Sequence, residues 1–142
     1  MIVRLAEIRD IADLASAAQS FVATAYPDKI DPEHLIATAE TAVSDPNGIV
    51  AILDGEHFAG CYVGGLVNSH ISGERMLVEI FLWVDPEFRG NGHKLVEFAE
   101  DVARDRGATS CWLSHPAIAE RAGQTFERWG YALAEKHYRK AL

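Results

Sequence analysis

The part of the sequence best suited to bind a charged ligand is the turn Arg89-Gly90-Asn91-Gly92. An apolar run precedes it, and apolar residues at helical spacing follow it. Glycines in such a turn permit positive φ and let a ligand approach the backbone closely. The unpaired N–H groups of the first helical turn then form an anion site, to which Arg89 adds charge. The spacing predicts a pyrophosphate site, although it matches neither GxxxxGKS/T nor GxGxxG; a glycine-rich turn without a ligand is the alternative.

Glu79 is the leading candidate for a general base. It lies in a predicted strand, between Val78 and Ile80. Apolar surroundings raise the pKa of a carboxyl group towards the value that a base needs near neutral pH. The alternative is an ordinary solvated glutamate on the open face of the strand.

Ser114 and His115 follow the next predicted strand directly, and a histidine there can act as base or acid. His115 also precedes Pro116 at the start of a helix, which is an ordinary surface position. Tyr138, in a predicted C-terminal strand, is a spare candidate for an acid. An aromatic side chain packed in a sheet is the alternative for Tyr138.

The stretch from Leu82 to Gly92 resembles the coenzyme-binding motif of the GNAT N-acyltransferases, hydrophobic-x-Val-x-Pro-x-x-Arg-Gly-x-Gly. The residues in register are Leu82, Val84, Pro86, Arg89, Gly90 and Gly92. The resemblance extends over nearly the whole chain, including Trp129-Gly130-Tyr131 after the last predicted helix. It implies an N-acetyltransferase that moves an acetyl or other acyl group directly from acetyl-CoA, its cosubstrate, to an amine, with no metal.

The resemblance also assigns positions to the coenzyme. In the family, the strand before the turn bonds the pantetheine arm through its backbone, and the turn holds the phosphates. The implied pantetheine contacts are Leu82, Trp83 and Val84, and the implied phosphate contacts are Arg89, Gly90, Asn91, Gly92, His93 and Lys94. The strand after the motif splays away in this fold, so Ser114 and His115 are expected to face the active site. Family members often use a glutamate at the position of Glu79.

Three positions depart from the family pattern. Lys94 replaces a usual Gly or Ala, and can either pair with a phosphate or crowd the turn. Phe126 replaces a tyrosine that protonates the leaving thiolate, and phenylalanine has no proton to donate. Phe126 is therefore expected to contact the coenzyme without acting as an acid. An asparagine often found early in the last helix is replaced at about Ala119.

The predicted elements follow the order β-α-α-β-β-β-α-β-α-β, an α/β (mixed α+β) fold with a mostly antiparallel, splayed sheet. A break at Tyr26-Pro27-Asp28 separates the first two helices, and Asp31 caps the second. Glycines 60, 64 and 65 indicate a bulge or a close backbone approach. The strands are expected at residues 2–6, 49–53, 57–68, 76–84 and 109–113, with one or two more in 131–139; the later helices are expected at 92–106 and 116–129.

Composition limits the class of protein. With 142 residues, of which 49% are hydrophobic, the chain supports one core, and we expect a single domain over residues 1–142. The net charge of −8 disfavours nucleic acid and suits a cationic amine, although solubility alone also explains it. No apolar run approaches the roughly 18 residues of a membrane span. Isolated Cys61 and Cys111, and no sign of a signal peptide, indicate a cytoplasmic protein.

The acceptor is expected to be a small-molecule or peptide amine, in a pocket shaped by residues 21–31 and 68–75. Tyr26, Asp28 and Asp31 hint at a cation site there, with a solvated loop as the alternative. Homodimers are common in the family, but no interface is specified. The competing hypothesis is a catalytically weak or inactive GNAT-fold protein, which acts as a CoA-binding or interaction module. A different nucleotide-phosphate-binding protein is a third possibility.

Overall fold

The structure, a computed structural model, describes residues 1–25 and 31–142. In these ranges the strands and α-helices follow the predicted order as far as the last helix. The elements are β1 (Ile2–Leu5), α1 (Ile11–Ala25), α2 (Pro32–Ser44), β2 (Gly48–Asp54), β3 (Phe58–Asn68), β4 (Arg75–Val84), α3 (Gly92–Asp105), β5 (Ser110–Trp112) and α4 (Glu120–Arg128).

The strands form one open sheet in the order β1-β2-β3-β4-β5. The neighbours from β1 to β4 are antiparallel, whereas β4 and β5 are parallel. A parallel pair requires a crossover connection, and α3 supplies it. The predicted mixed α/β fold with a mostly antiparallel sheet is therefore confirmed.

Apolar side chains fill both faces of the sheet. Helices α1 and α2 cover one face, and α3 covers the other. The core under α1 and α2 includes Leu14, Ala18, Ala39, Val50, Ile52, Val63 and Phe81. The core under α3 includes Ile49, Leu53, Tyr62, Leu77, Leu95, Val96 and Ala99. The sheet is thus buried on both sides, and α3, which begins at the glycine turn, is fixed against it.

Asp31 caps α2, as the sequence predicts. Its Oδ1 accepts hydrogen bonds from the backbone N–H groups of Glu33 and His34, at 3.1 and 3.3 Å. Tyr26 and Asp28 lie outside the described residues, and so does the predicted break at 26–28. The only described member of the proposed cation site is therefore occupied in holding a helix end.

The prediction of one or two strands in residues 131–139 is wrong. No strand is present there, and every residue from 132 to 142 is exposed. The backbone N–H of Tyr131 donates to the carbonyl oxygen of Phe126, which closes the end of α4. A further strand would need a ladder partner, but the edge strand β5 is only three residues long and shorter than predicted. Residues 135–140 are mostly charged or polar, so their burial would gain little.

None of the helices in residues 1–25 and 31–142 is long and apolar enough to cross a lipid bilayer.

Candidate active site

Strands β4 and β5 separate part-way along β4. Their pairing begins at Met76 with Ser110 and ends at Val78 with Trp112. Strand β3, on the other side of β4, stays paired as far as Val84. Within the described residues, the final part of β4 therefore has no strand partner on its β5 side. An extended ligand that carries amide groups can pair with such an edge as an added strand does.

A β-bulge lies where the two strands part. The register pairs Gly64 with Glu79 and Val63 with Phe81, which makes Ile80 the extra residue. The sequence predicts a bulge or close approach from the glycines of β3, and the structure confirms both at Gly64. A Cβ there would lie 2.9 Å from the carbonyl oxygen of Val78. The bulge therefore needs glycine opposite it.

The bulge changes the side of the sheet to which β4 side chains point. Leu77 belongs to the core under α3. Glu79 lies two residues further along the strand, so its side chain points to the same side of the sheet. Phe81 belongs to the core under α1 and α2. Glu79 and Phe81 therefore lie on opposite sides of the same strand, although only Ile80 separates them.

Glu79 is buried and held by Ser114. Only 8% of Glu79 is exposed. Its Oε2 accepts two hydrogen bonds from Ser114, one from the backbone N–H at 3.1 Å and one from the hydroxyl at 3.0 Å. Burial raises the pKa of Glu79, and the two bonds from Ser114 oppose part of that rise. The structure thus brings together two of the predicted residues, on either side of the separated strands.

We expect this buried carboxyl group to make stability depend on pH. Because the pKa of Glu79 is higher in the folded chain, its favourable contribution is complete below the unfolded pKa of about 4.3 and is lost as pH rises through the folded pKa. Glu79→Gln removes that loss. Thermal unfolding of both proteins from pH 4 to pH 8 should show the variant gaining relative to the wild type as pH rises. A difference that does not vary with pH would contradict the raised pKa.

His115 lies against α4 rather than beside Glu79. Its Nδ1 is 2.9 Å from the carbonyl oxygen of Pro116. Because a carbonyl oxygen only accepts hydrogen bonds, Nδ1 must carry a proton to make this bond. In the neutral ring, Nε2 is then unprotonated. A Cβ on Gly123 would lie 3.0 Å from Nε2. In the described part of the chain His115 makes no hydrogen bond to Glu79. Any chemical role of His115 would therefore be independent of the Glu79 carboxyl group.

The turn after β4 has the geometry of an anion site. Gly90 adopts φ +98°, as predicted. Asn91 stands at the cap position of α3, but its side chain donates backwards to the carbonyl oxygen of Phe88, at 2.7 Å. It makes no capping bond to the first turn of α3. The backbone N–H of Lys94 donates to the carbonyl oxygen of Asn91 at 3.1 Å. The N–H groups of that turn before Lys94 have no side-chain acceptor and can bind an anion.

The charged side chains around this turn are accessible. Arg89 and Lys94 are both exposed, and neither forms a salt bridge within residues 1–25 and 31–142. The Nδ1 of His93 lies 3.0 Å from the carbonyl oxygen of Gly90. Gly92, the first residue of α3, is buried. The arrangement supplies two exposed cationic side chains to one helix start.

Phe126 lies in an aromatic group that reaches this turn. Its ring centroid is 5.7 Å from that of Trp129, 6.0 Å from that of His115 and 6.4 Å from that of Tyr131. Trp129 in turn packs against Gly92, because a Cβ there would lie 3.3 Å from its ring. Phe126 is therefore linked through Trp129 to the start of α3.

Sequence reasoning assigned no site role to Tyr131. Its hydroxyl donates to Oε1 of Glu100, which lies on α3. Burial, and then contacts with Cys111 and Glu100, raise the pKa of Tyr131, so it keeps its proton at neutral pH. One sequence signal was its place in Trp129-Gly130-Tyr131. A glutamate on the inner side of an amphipathic helix is a second signal, because such a carboxylate needs a partner.

A broad polar depression of about 450 Å³ lies between α1 and the β3–β4 end of the sheet. Asp13 and Asp85 line it, and Asp85 accepts a hydrogen bond from the Trp83 ring at 2.9 Å. Two carboxylates disfavour a pyrophosphate there. The ring of Trp83 thus points away from α3, so Trp83 offers a ligand on the open edge only its backbone.

Within the described ranges, no group of three or more His, Cys, Asp or Glu side chains is arranged to hold a metal ion.

Comparison with known proteins gives a family match and a fold match. The model of the acetyltransferase (GNAT) family matches residues 8–131 of the chain. A search of curated protein sequences finds no match.

Three solved structures illustrate the fold match. A possible acetyltransferase from Clostridium difficile 630 is 16% identical, with TM-score 0.80, over 99% of this chain and 97% of that one. Ribosomal-protein-alanine N-acetyltransferase from Brucella melitensis biovar Abortus 2308 is 18% identical, with TM-score 0.77, over 100% of both chains. Glucosamine-6-phosphate N-acetyltransferase from Arabidopsis thaliana is 17% identical, with TM-score 0.76, over 99% and 97%. At these identities the likeness is one of fold.

Proposed function

Because the chain belongs to the acetyltransferase (GNAT) family, we propose that it transfers an acetyl group from acetyl-CoA to an amine. One observation carries this proposal. Three features follow one another along the chain, and we take them together as the coenzyme path: the buried carboxyl group of Glu79, the edge of β4 without a strand partner among the described residues, and the uncapped start of α3. That path has an anion site at one end and a base at the other, with an edge for amide groups between them.

The coenzyme is placed along this path with its phosphates at the start of α3 and its thioester at the bulge of β4. The first-turn N–H groups of α3 bind the pyrophosphate, with Arg89 and Lys94 as exposed counter-charges. The pantetheine arm pairs with the free backbone edge of Leu82–Val84, and its amides act as an added strand. Running back along β4 at about 3.3 Å per residue, the arm brings the thioester to the bulge at Ile80.

Glu79 acts as the base in this proposal. The amine nitrogen attacks the thioester carbonyl carbon, a C–N bond forms, and the C–S bond breaks. Glu79 takes the proton that the amine loses, directly or through water, and the CoA thiolate leaves. Ser114 holds the carboxylate in place and limits the rise of its pKa. Phe126 has no proton to give to the thiolate. The hydroxyl of Tyr131 donates a hydrogen bond to Glu100, and burial raises the pKa of Tyr131.

Phe126→Tyr tests the missing acid. Because Phe126 is only half-buried, a hydroxyl added to its ring should leave the fold intact. We expect the turnover number to be unchanged or higher, by up to about 10²-fold if thiolate protonation limits the rate. Turnover of both forms on one acceptor measures the effect. A large fall in turnover, with coenzyme affinity retained, would show that Phe126 shapes the site by contact with the coenzyme.

The acceptor is a small-molecule or peptide amine. The net charge of −8 favours a cationic acceptor over an anionic one. The related folds include enzymes whose names specify a protein alanine and an amino sugar phosphate, so both acceptor types are compatible with the fold. Amine-dependent release of free thiol from acetyl-CoA, over a panel of peptide and small amines, tests the reaction.

The second candidate function is a CoA-binding module without catalysis, and the absence of a tyrosine at Phe126 is the observation that favours it. The same panel separates the two. Coenzyme binding without amine-dependent thiol release on any acceptor would support the module and contradict the transferase.

A further inference from the structure

An apolar cavity of about 190 Å³ lies between α1, α2 and the sheet. Its lining includes Leu14 and Phe21 from α1, Leu35 and Ala39 from α2, and Ile80 and Phe81 from the bulge. Among the described residues, Thr38 is the one lining residue with a polar side-chain atom, and none of the described lining side chains is charged. Such a cavity excludes an ionic group and favours a hydrocarbon.

The bulge joins this cavity to the proposed coenzyme path. Ile80 and Phe81 are successive residues that both line the cavity, because the extra residue breaks the alternation of β4. Ile80 is 52% exposed, so a residue that lines the cavity is also accessible to solvent at the bulge. The bulge, where the proposed coenzyme arm ends, is therefore also part of the cavity wall.

The group that enters the cavity is the one that points away from the base. Glu79 lies on the α3 side of β4 and is bonded to Ser114, whereas the cavity lies on the opposite side, under α1 and α2. The attacking amine must approach the carboxylate of Glu79 or a water beside it. The acyl chain of the donor is tethered to the thioester at the bulge, so its tail extends to the other side.

We propose that this cavity binds the acyl tail of the donor, and that the site prefers unbranched acyl-CoA thioesters of about four to six carbons over acetyl-CoA. A leucine- and phenylalanine-lined cavity of about 150 Å³ is known to hold benzene, so 190 Å³ accommodates a chain of similar carbon number. This inference rests on the proposed coenzyme site. It concerns the length of the acyl group that moves from sulfur to nitrogen, and leaves the transfer step itself unchanged.

Binding of acetyl-, butanoyl-, hexanoyl- and decanoyl-CoA to the full chain, measured by calorimetry without an acceptor, tests the proposal. Burial of one methylene strengthens binding by up to roughly fourfold. We expect affinity to rise by at least about tenfold from acetyl- to hexanoyl-CoA and to fall again for decanoyl-CoA, whose chain exceeds the cavity. Equal affinities for acetyl- and hexanoyl-CoA would overturn it, and would mean that the acceptor or nothing fills the cavity. If no acyl-CoA binds, the proposed function itself fails.

Ala39→Leu fills the cavity from α2, and Ala37→Leu places the same side chain on the exposed side of that helix. Ala39→Leu should abolish the preference for hexanoyl-CoA while acetyl-CoA still binds; Ala37→Leu should keep the wild-type preference. Ala18→Leu, which fills the cavity from α1, serves in the same way if the first variant does not fold. A preference that survives in a folded, cavity-filled variant would place the acyl tail elsewhere.

Discussion

Glu79→Gln is expected to lower the rate of acyl transfer at neutral pH by roughly 10²-fold or more. Glutamine is isosteric with glutamate, and its amide oxygen can still accept both hydrogen bonds from Ser114. Local geometry and coenzyme affinity should therefore be retained, so the loss appears in kcat. Steady-state turnover on one acceptor, with acetyl-CoA affinity measured in parallel, gives both quantities.

The pH profile identifies the cause of that loss. Burial raises the pKa of Glu79, so the wild-type rate should rise with pH through an apparent pKa above that of an ordinary glutamate. Only the ionised carboxylate of Glu79 can act as the base, so the rate should fall at pH values below this pKa. In Glu79→Gln this limb should vanish or move. Glu97→Gln, at an exposed position on α3, should behave as wild type. Unchanged turnover in Glu79→Gln would eliminate Glu79 as the base and make His115 the next residue to test.

Reversing the two exposed charges at the start of α3, in Arg89→Glu with Lys94→Glu, is expected to abolish stabilisation by acetyl-CoA. In the wild type, coenzyme at 100 times its Kd adds about 2.7 kcal/mol to the free energy of unfolding, or roughly 8 °C in melting temperature for a chain of this size. Both side chains are exposed and unpaired within the described residues, so the variant should fold normally. Thermal unfolding with and without acetyl-CoA measures the shift.

Arg104→Glu controls for charge reversal elsewhere on the same helix, since Arg104 is exposed in its last turn. It should keep most of the shift. If acetyl-CoA raised the melting temperature of the Arg89→Glu, Lys94→Glu variant as much as that of the wild type, the start of α3 would not hold the phosphates. No shift in the wild type at millimolar CoA would remove the coenzyme site altogether.

The sequence predicted the glycine turn before α3 because the determinants of that turn are local. Gly90 needs positive φ, and a glycine before an amphipathic helix signals this without any tertiary information. The order of elements up to α4 was predictable for the same reason, since periodicity and caps such as Asp31 are short-range features.

Other features depend on contacts that no local pattern encodes. The glycines of β3 indicated a bulge. The register with β3 determines that Ile80 is the extra residue. The packing of two helices on the sheet determines the cavity beside it. The one or two strands predicted in residues 131–139 are absent. A strand needs a free partner long enough to pair with it, and β5 offers three residues. No local pattern indicated that the ring of His115 lies beside Gly123 and Phe126 of α4, with its Nδ1 at 2.9 Å from the carbonyl oxygen of Pro116.

The bulge at Ile80 also bears on how this chain can change over evolutionary time. Before the bulge, β4 presents Glu79 to one side of the sheet; after it, Phe81 faces the other. One strand thus carries two neighbouring positions whose surroundings do not overlap. Substitutions at Phe81 can alter what fits beneath α1 and α2 while the ionisation of Glu79 stays as it is. Single substitutions can therefore change the substrate preference while Glu79 keeps its surroundings. Deletion of Ile80 would remove the bulge and shift the register, so that Glu79 and Phe81 could no longer both keep their present sides of the sheet.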